Sequence, residues 1–83
     1  MNLKKANLQD TNLQEADFFE ADLSGANLSG ADLKEAIFED AILEETDLKN
    51  TNLQGVNFEN ANLERSNFER ANLTRADLQE SNL

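Results

Sequence analysis

The sequence contains no cysteine, histidine, proline, tryptophan or tyrosine. Without cysteine there is no disulfide, and without cysteine or histidine the usual ligand sets for zinc, haem and iron–sulfur clusters are missing. A catalytic centre built on either residue is excluded for the same reason. We therefore expect no enzymatic activity, no catalytic residue, no cofactor and no bound metal ion.

Basic residues and long apolar runs are also scarce. The 83 residues include 7 Lys and Arg against 17 Asp and Glu, which gives a net charge of −10. Because Lys and Arg are the residues that neutralise phosphate, we expect no direct binding to nucleic acid and none to an anionic membrane. No apolar run approaches a membrane span, and the first residues, MNLKKANLQD, lack the apolar segment of a signal peptide. These features predict a cytoplasmic protein.

A strict five-residue repeat runs through the whole chain. Cut from Met1, the sequence is 16 complete pentapeptides followed by SNL, with no insertion or deletion. The third column is Leu 13 times and Phe 4 times, the first is mostly Ala, and the second is Asn or Asp at all but two positions. With no linker or change of composition, we expect one domain, residues 1–83.

Neither a helix nor a long strand explains this period. Five residues advance a helix by about 500°, so the leucines would wind around its surface. In a strand an odd period would send successive leucines to opposite faces. The pattern fits a short extended piece with two inward residues, the first and third, followed by two turn residues in the fourth and fifth columns. Each pentapeptide is then one side of a polygonal coil.

The phenylalanines indicate how many sides the coil has. Phe18, Phe38 and Phe58 all lie in the third column and are spaced by twenty residues, or four pentapeptides. In a four-sided coil they would stack at the strand spacing of about 4.8 Å. The prediction is an all-β solenoid of about four coils of four pentapeptides, whose buried residues include Leu28, Leu33, Phe38, Leu43, Leu48, Leu53, Phe58, Ala26, Ala31, Ala36 and Ala41.

The repeat A(D/N)LXX resembles the signature of the pentapeptide-repeat protein family over all 83 residues. The resemblance implies a right-handed quadrilateral β-helix in which the columns of Ala21 and Leu23 point inward. The departures are Ile37 and Ile42 in the second column and Val56 in the first. The best understood members of the family inhibit or protect DNA gyrase, a type II topoisomerase, by presenting a DNA-like acidic surface.

The charge is spread unevenly over the four predicted sides. We call face four the side made by residues 16–20, 36–40, 56–60 and 76–80. It carries seven acids and no Lys or Arg, so it holds −7 of the net charge of −10. One interpretation is a solvated surface that keeps a repetitive β-protein soluble and discourages edge pairing. The other is an electrostatic surface for a basic protein.

Three apolar residues fall outside the inward columns, and all three lie on or beside face four. We therefore predict a protein-interaction face that combines these with the acids: Asp17, Phe19, Glu20, Ile37, Glu39, Asp40, Ile42, Glu59, Asp77 and Glu80. The expected function is a non-enzymatic structural or interaction module with a basic protein partner. The alternative is an acidic decoy for a DNA-binding protein such as a type II topoisomerase. Duplex DNA carries about 12 charges over 20 Å, and face four offers seven.

The ends of the repeat array lack polar caps in the sequence. A terminal coil exposes unpaired backbone groups and core side chains, so repeat proteins usually cap it. We expect an end-to-end homodimer, or a longer array, to cover these coils. The side chains expected to be bare are Leu3, Leu8, Leu13 and Phe18 on the first coil and Leu73, Leu78 and Leu83 on the last.

Overall fold

Every complete pentapeptide has the same backbone conformation in the computed structural model, which describes residues 1–83. The second residue of each repeat forms parallel β-bridges, and the fourth and fifth residues form a turn. There is no helix, and no strand is longer than one bridged residue. No segment is therefore a helix capable of crossing a bilayer.

Hydrogen bonds between successive turns of the chain hold the fold together. All 13 parallel bridges join residues twenty apart, from Asn2 with Asp22 to Asn62 with Asn82. This is the register that a turn of four pentapeptides requires. The third residue of a repeat donates its amide to the second-column carbonyl of the next turn, as in Leu28 to Asp47 at 2.8 Å. Four such turns at about 4.8 Å measure roughly 19 Å, beside overall dimensions of 27 × 26 × 21 Å.

The interior is filled by the first and third columns. The buried core consists of 17 apolar residues, and every one of them belongs to these two columns. All eleven residues predicted to be buried are at most 1% exposed, so this prediction is confirmed. Thr46 and Thr51 are also buried. Their hydroxyls are satisfied there because they donate to the carbonyls of Leu23 and Leu48. The small first column therefore accepts a hydroxyl wherever a carbonyl is in reach.

The predicted aromatic column is present. The ring centroids of Phe18 and Phe38 are 4.9 Å apart, and those of Phe38 and Phe58 are 5.3 Å apart, with near-parallel planes. Phe68, which the period places on the opposite side of the coil, meets Phe58 edge to face at 6.1 Å. This last contact was not predicted from the sequence. It places the Phe68 ring against the last ring of the stack, inside the coil.

The fifth residue of every repeat has a positive φ. All 16 fifth-column residues lie between 57° and 72°, and only three of them are glycine. This left-handed conformation costs an ordinary residue about 1–2 kcal/mol. Asn and Asp tolerate it best after glycine, yet Glu and Arg occupy it most often here. The turn geometry, repeated at every corner, therefore overrides local preference.

The first coil is better covered than the sequence predicts. Phe18 was expected to be bare, but it is 6% exposed, because Phe38 stacks on its ring. Leu3, Leu8 and Leu13 are half-buried, as are Leu73 and Leu78, and only Leu83 among these leucines is largely exposed. The expectation for Phe18 is therefore wrong, and the end-to-end homodimer stays a prediction.

The central phenylalanine tests the packing of the core. Phe38→Ala removes a side chain stacked on both faces, so we expect a loss of about 3–5 kcal/mol in the free energy of unfolding. Chemical denaturation followed by circular dichroism measures it. Phe19→Ala is the matched control, because Phe19 is 46% exposed, and it should cost less than about 0.5 kcal/mol. Equal losses from the two variants would contradict the packing described here.

A fifth-column residue tests the backbone strain. The Glu15 side chain forms no hydrogen bond or ion pair, and its φ is 61°. Glu15→Val places a β-branched residue in the left-handed region and should destabilise the protein by about 1–2 kcal/mol. Glu15→Gly relieves that strain but loosens the unfolded chain, so it should stay within about 1 kcal/mol of the parent. Thermal unfolding compares them, and equal stability of the two variants would refute the interpretation.

Candidate functional site

Nine of the ten residues of the predicted interaction face lie on one side of the coil. The bridges place Asp17, Ile37, Asn57 and Asp77 in a single row, so the four repeats of face four stack on one another. Ile42 is bridged to Asp22 and Asn62 instead and lies on the adjacent side. That the face binds a partner stays a prediction.

The acids of face four have no cationic partner. None of the seven forms an ion pair, whereas acids on the other sides do. Those pairs are Lys4 with Asp22, Lys49 with Asp47, Arg65 with Glu44 and Glu45, and Arg70 with Glu69. All five contacts are solvent-exposed at one partner or both, so each contributes little to stability. No cation of the protein therefore offsets the negative charge of face four.

Stacking brings Glu39 and Glu59 together on successive turns of face four. A hydrogen bond between their carboxyl groups raises the pKa of Glu59 above its ordinary value of 4.5. Partial desolvation and the negative charges of Glu39, Asp77 and Asp40 raise this pKa further. When Glu59 is ionised, the carboxylates repel one another, so the face carries its charge at a cost to the fold.

The second-column Asn and Asp side chains have a structural role. In every complete repeat that has one, its Oδ1 accepts a hydrogen bond from the backbone amide two residues later. Examples are Asp17 with the amide of Phe19 at 3.0 Å and Asn57 with that of Glu59 at 2.9 Å. The fourth-column amide is used neither by the turn-to-turn ladder nor by the corner bond in which a first-column amide donates to the carbonyl three residues back, as in Ala26 to Leu23. The side chain caps it, which accounts for the second column without any ligand.

Two consecutive repeats lack this cap. Ile37 and Ile42 offer no side-chain oxygen, and the backbone amides of Glu39 and Glu44 donate to no group of the protein. The two isoleucines are 37% and 39% exposed. With Phe19 at 46%, they are the large apolar residues exposed away from the two chain ends. The sequence identified these three residues, but the two uncapped amides became visible only from the hydrogen bonds.

A shallow groove beside Ile42 was not predicted. It has a volume of about 330 Å³, and Ile42 is the one apolar residue in its lining, which otherwise comprises Lys4, Lys5, Asp22, Ser24, Gly25, Glu44 and Glu45. The groove exists because the repeat at residues 21–25 has Ser and Gly where the repeats above and below have long side chains. Hydrogen bonds from the Ser24 hydroxyl and amide, and the nearby Lys4, lower the pKa of Asp22. The sequence did contain a signal for this groove: the twenty-residue period places the small pair Ser24 and Gly25 between the charged pairs Lys4–Lys5 and Glu44–Glu45.

Comparison with known proteins gives one family. A sequence profile of the pentapeptide repeat region matches residues 11–83. A search of curated proteins found no match.

Several solved structures resemble the chain. One is a pentapeptide repeat protein from the thylakoid lumen of Arabidopsis thaliana, 32% identical, with a TM-score of 0.90 over 96% of this chain and 59% of that one. Another is a pentapeptide repeat protein of the cyanobacterium Cyanothece 51142, 37% identical, with a TM-score of 0.48 over 99% of this chain and 80% of that one. A third, involved in the regulation of heterocyst differentiation in Nostoc, is 28% identical with a TM-score of 0.34 over 99% and 55% of the two chains. This chain thus spans about three fifths of the Arabidopsis protein.

The carboxyl pair of face four predicts a pH effect on stability. Because its pKa is raised on folding, Glu59 binds a proton more readily in the folded protein than in the unfolded chain. Its contribution therefore makes the fold more stable as the pH falls through the folded-state pKa, and the gain levels off below the ordinary value of 4.5. Glu59→Gln should be more stable than the parent near neutral pH, and the difference should shrink towards about pH 4.

Melting temperatures of both proteins across this range measure the effect. The lowered pKa of Asp22 acts in the opposite sense, since its stabilisation is lost as the pH falls, but both proteins share it and it cancels in the difference. A difference that stays constant with pH would contradict the coupling of Glu39 and Glu59.

Proposed function

Because this chain belongs to the pentapeptide-repeat family, whose solved members are right-handed quadrilateral β-helices, we propose that it is a non-enzymatic module that binds a basic protein through face four. Proteins of this family are generally not enzymes. Their regular outer surface offers a partner rigid rows of side chains at the strand spacing. The cytoplasmic location stays a prediction.

The observation that carries this proposal is the unpaired charge of face four. Seven acids lie there without a single cation, although Lys and Arg pair with acids elsewhere on the protein. A surface that served solubility alone could distribute the same charge over four sides and avoid the repulsion between Glu39 and Glu59. Concentrated charge of one sign attracts a partner of the opposite sign and accelerates its approach.

The geometry offers little support for catalysis. General acid–base chemistry depends on a desolvated cleft that tunes the pKa of its groups. The stacked carboxyl groups of face four lie instead on an open, convex side, and the groove beside Ile42 is shallow and lined by solvent-exposed charges. The surface is therefore better suited to contact with another macromolecule.

A decoy for a DNA-binding protein is the alternative form of this proposal. The acids of face four, together with the known behaviour of the family's best understood members, favour it. The number of charges counts against it, since DNA presents about 12 over a length of 20 Å and face four presents seven. We therefore place the decoy second, and duplex DNA added as a competitor distinguishes it, because a decoy and DNA would exclude each other from the same basic surface.

Neutralising the face tests the proposal. The variant Asp17→Asn, Glu39→Gln, Asp40→Asn, Glu59→Gln should be as stable as the parent or more so, because no ion pair is lost and repulsion is relieved. Its affinity for an oligolysine peptide, measured by isothermal titration calorimetry at low salt, should fall about tenfold. Added salt should weaken the binding of the parent protein in the same way.

The matched control neutralises four acids on the other sides, none of which forms an ion pair: Asp10→Asn, Glu15→Gln, Glu35→Gln and Glu64→Gln. It changes the net charge by the same amount. If both variants lose the same affinity, only the total charge matters and the proposal for face four fails. A fall of about ten degrees in the melting temperature of the face-four variant would also contradict the proposal, because it would mean that these acids stabilise the fold.

A further inference from the structure

The break in the capping pattern is the least expected feature of the surface. Of the 16 complete repeats, the two at residues 36–40 and 41–45 are the ones without an Asn or Asp cap, and they are adjacent in the chain. They meet at the corner between face four and the next side. A change that served only the fold would keep the cap, because a hydrogen bond of this kind contributes about 1 kcal/mol.

The replacement exposes apolar surface on both sides of the corner and leaves one backbone donor without an acceptor in each of the two repeats. Ile37 and Ile42 present more than a third of their surface to solvent on the two sides of the corner. Phe19 lies on the turn below, beside Ile37 on face four. The amides of Glu39 and Glu44, each two residues after an isoleucine, have no acceptor in the protein. We define the isoleucine corner as Phe19, Ile37, Ile42 and these two amides.

The surroundings of the isoleucine corner select the chemistry of an occupant. The two free amides can donate to an acceptor, but an anionic acceptor is repelled beside Glu39, because the carboxylates of Glu39 and Asp40 have no cationic partner there. Beside Glu44 the acids are paired, since Arg65 contacts both Glu44 and Glu45. Uncharged carbonyl oxygens suit both amides, and peptide backbone supplies them. The isoleucines favour apolar side chains, and the unpaired acids of face four favour Lys or Arg on that side of the corner.

We propose that the isoleucine corner docks an extended segment of the basic protein partner. The segment places apolar side chains on Ile37 and Ile42, which are exposed on the two sides of the corner. Its backbone carbonyls accept hydrogen bonds from the amides of Glu39 and Glu44, in the manner of peptides that add to exposed sheet edges. The docking site rests on the proposed function, since face four supplies the charge that attracts the segment.

A synthetic peptide probe tests the docking. The probe is an extended peptide with two valines flanked by lysines, and its control has serine in place of valine. In two-dimensional ¹H–¹⁵N spectra, the valine peptide should shift the amides of Glu39 and Glu44 downfield and slow their exchange with water. The capped amides of Glu59 and Glu64 should change little, because Asn57 and Asn62 already occupy them. The serine peptide should bind about tenfold more weakly.

Two substitution variants of the protein complete the test. Ile37→Asn/Ile42→Asn restores both caps, and it should keep the fold, as circular dichroism checks, while it loses about tenfold in affinity for the valine peptide. The second variant combines these two substitutions with Asn67→Ile/Asn72→Ile, so that two isoleucines occupy the equivalent second-column positions at another corner. Asn67 and Asn72 cap the amides of Glu69 and Thr74 there, and Arg70 and Arg75 replace the acids. It should bind as weakly as the first.

The outcomes separate this inference from the proposed function. If the face-four acid variant loses the valine peptide but Ile37→Asn/Ile42→Asn keeps it, the docking site is wrong and the proposed function stands. If only the isoleucine variant loses the peptide, docking stands and the electrostatic function is wrong. If the variant with transplanted isoleucines binds like the parent, the contact is non-specific apolar adhesion and the docking site is overturned. Unchanged amides of Glu39 and Glu44 in the bound state would overturn it as well.

Discussion

The hydrogen-bond ladder between turns is the constraint on which the rest of the structure depends. Its bridges all join residues twenty positions apart, so every turn must contain the same number of residues and follow the same path. A single insertion would break the alignment of all the columns at once. Because the register is uniform, side chains of one column stack along the coil, which turns a five-residue motif into continuous rows of Leu, Phe, Ala and Asn.

The corners show how the ladder dictates local conformation. Thirteen residues that are not glycine hold a positive φ there, although each is strained by itself. The strain persists because a different turn would misplace the amide of the fifth residue, which donates to the turn above in all but the last coil. The fourth-column amide lies outside the ladder, and a side chain caps it wherever the second column is Asn or Asp. The second-column side chain can therefore be replaced, which changes the surface, without the loss of any hydrogen bond of the ladder.

Face four and the isoleucine corner both depart from what stability alone favours. The stacked carboxyl groups of Glu39 and Glu59 repel when ionised, and the repeats at Ile37 and Ile42 lose a cap and expose apolar surface. Proteins commonly break local rules at functional sites. The isoleucine corner begins on face four at Ile37 and continues onto the adjacent side at Ile42, which is why we treat the two departures as parts of one binding surface. The Arabidopsis relative shares the fold with a TM-score of 0.90 and is the longer chain.

The period, the inward columns and the aromatic stack could be predicted from residue types and their spacing. Columns one and three were identified as core because 29 of the 32 apolar residues fall in them, and the spacing of Phe18, Phe38 and Phe58 predicted their stacking. The residue type at each position of a repeat indicates whether that position is buried, so the buried columns can be predicted without knowing any contact. The ten residues of the predicted interaction face were likewise chosen from charge and hydropathy alone, and nine of them lie on one side of the coil.

The remaining features depend on contacts between turns of the coil. The positive φ of Glu and Arg at the corners runs against their preferences, and it follows from closing each turn onto its neighbour. The burial of Phe18 depends on a ring from the next turn, and the raised pKa of Glu59 depends on Glu39, twenty residues away in the chain. The uncapped amides of Glu39 and Glu44 became apparent only from the hydrogen bonds of the folded chain. Each of these features is a property of pairs of residues brought together by the register, which no single position in the sequence contains.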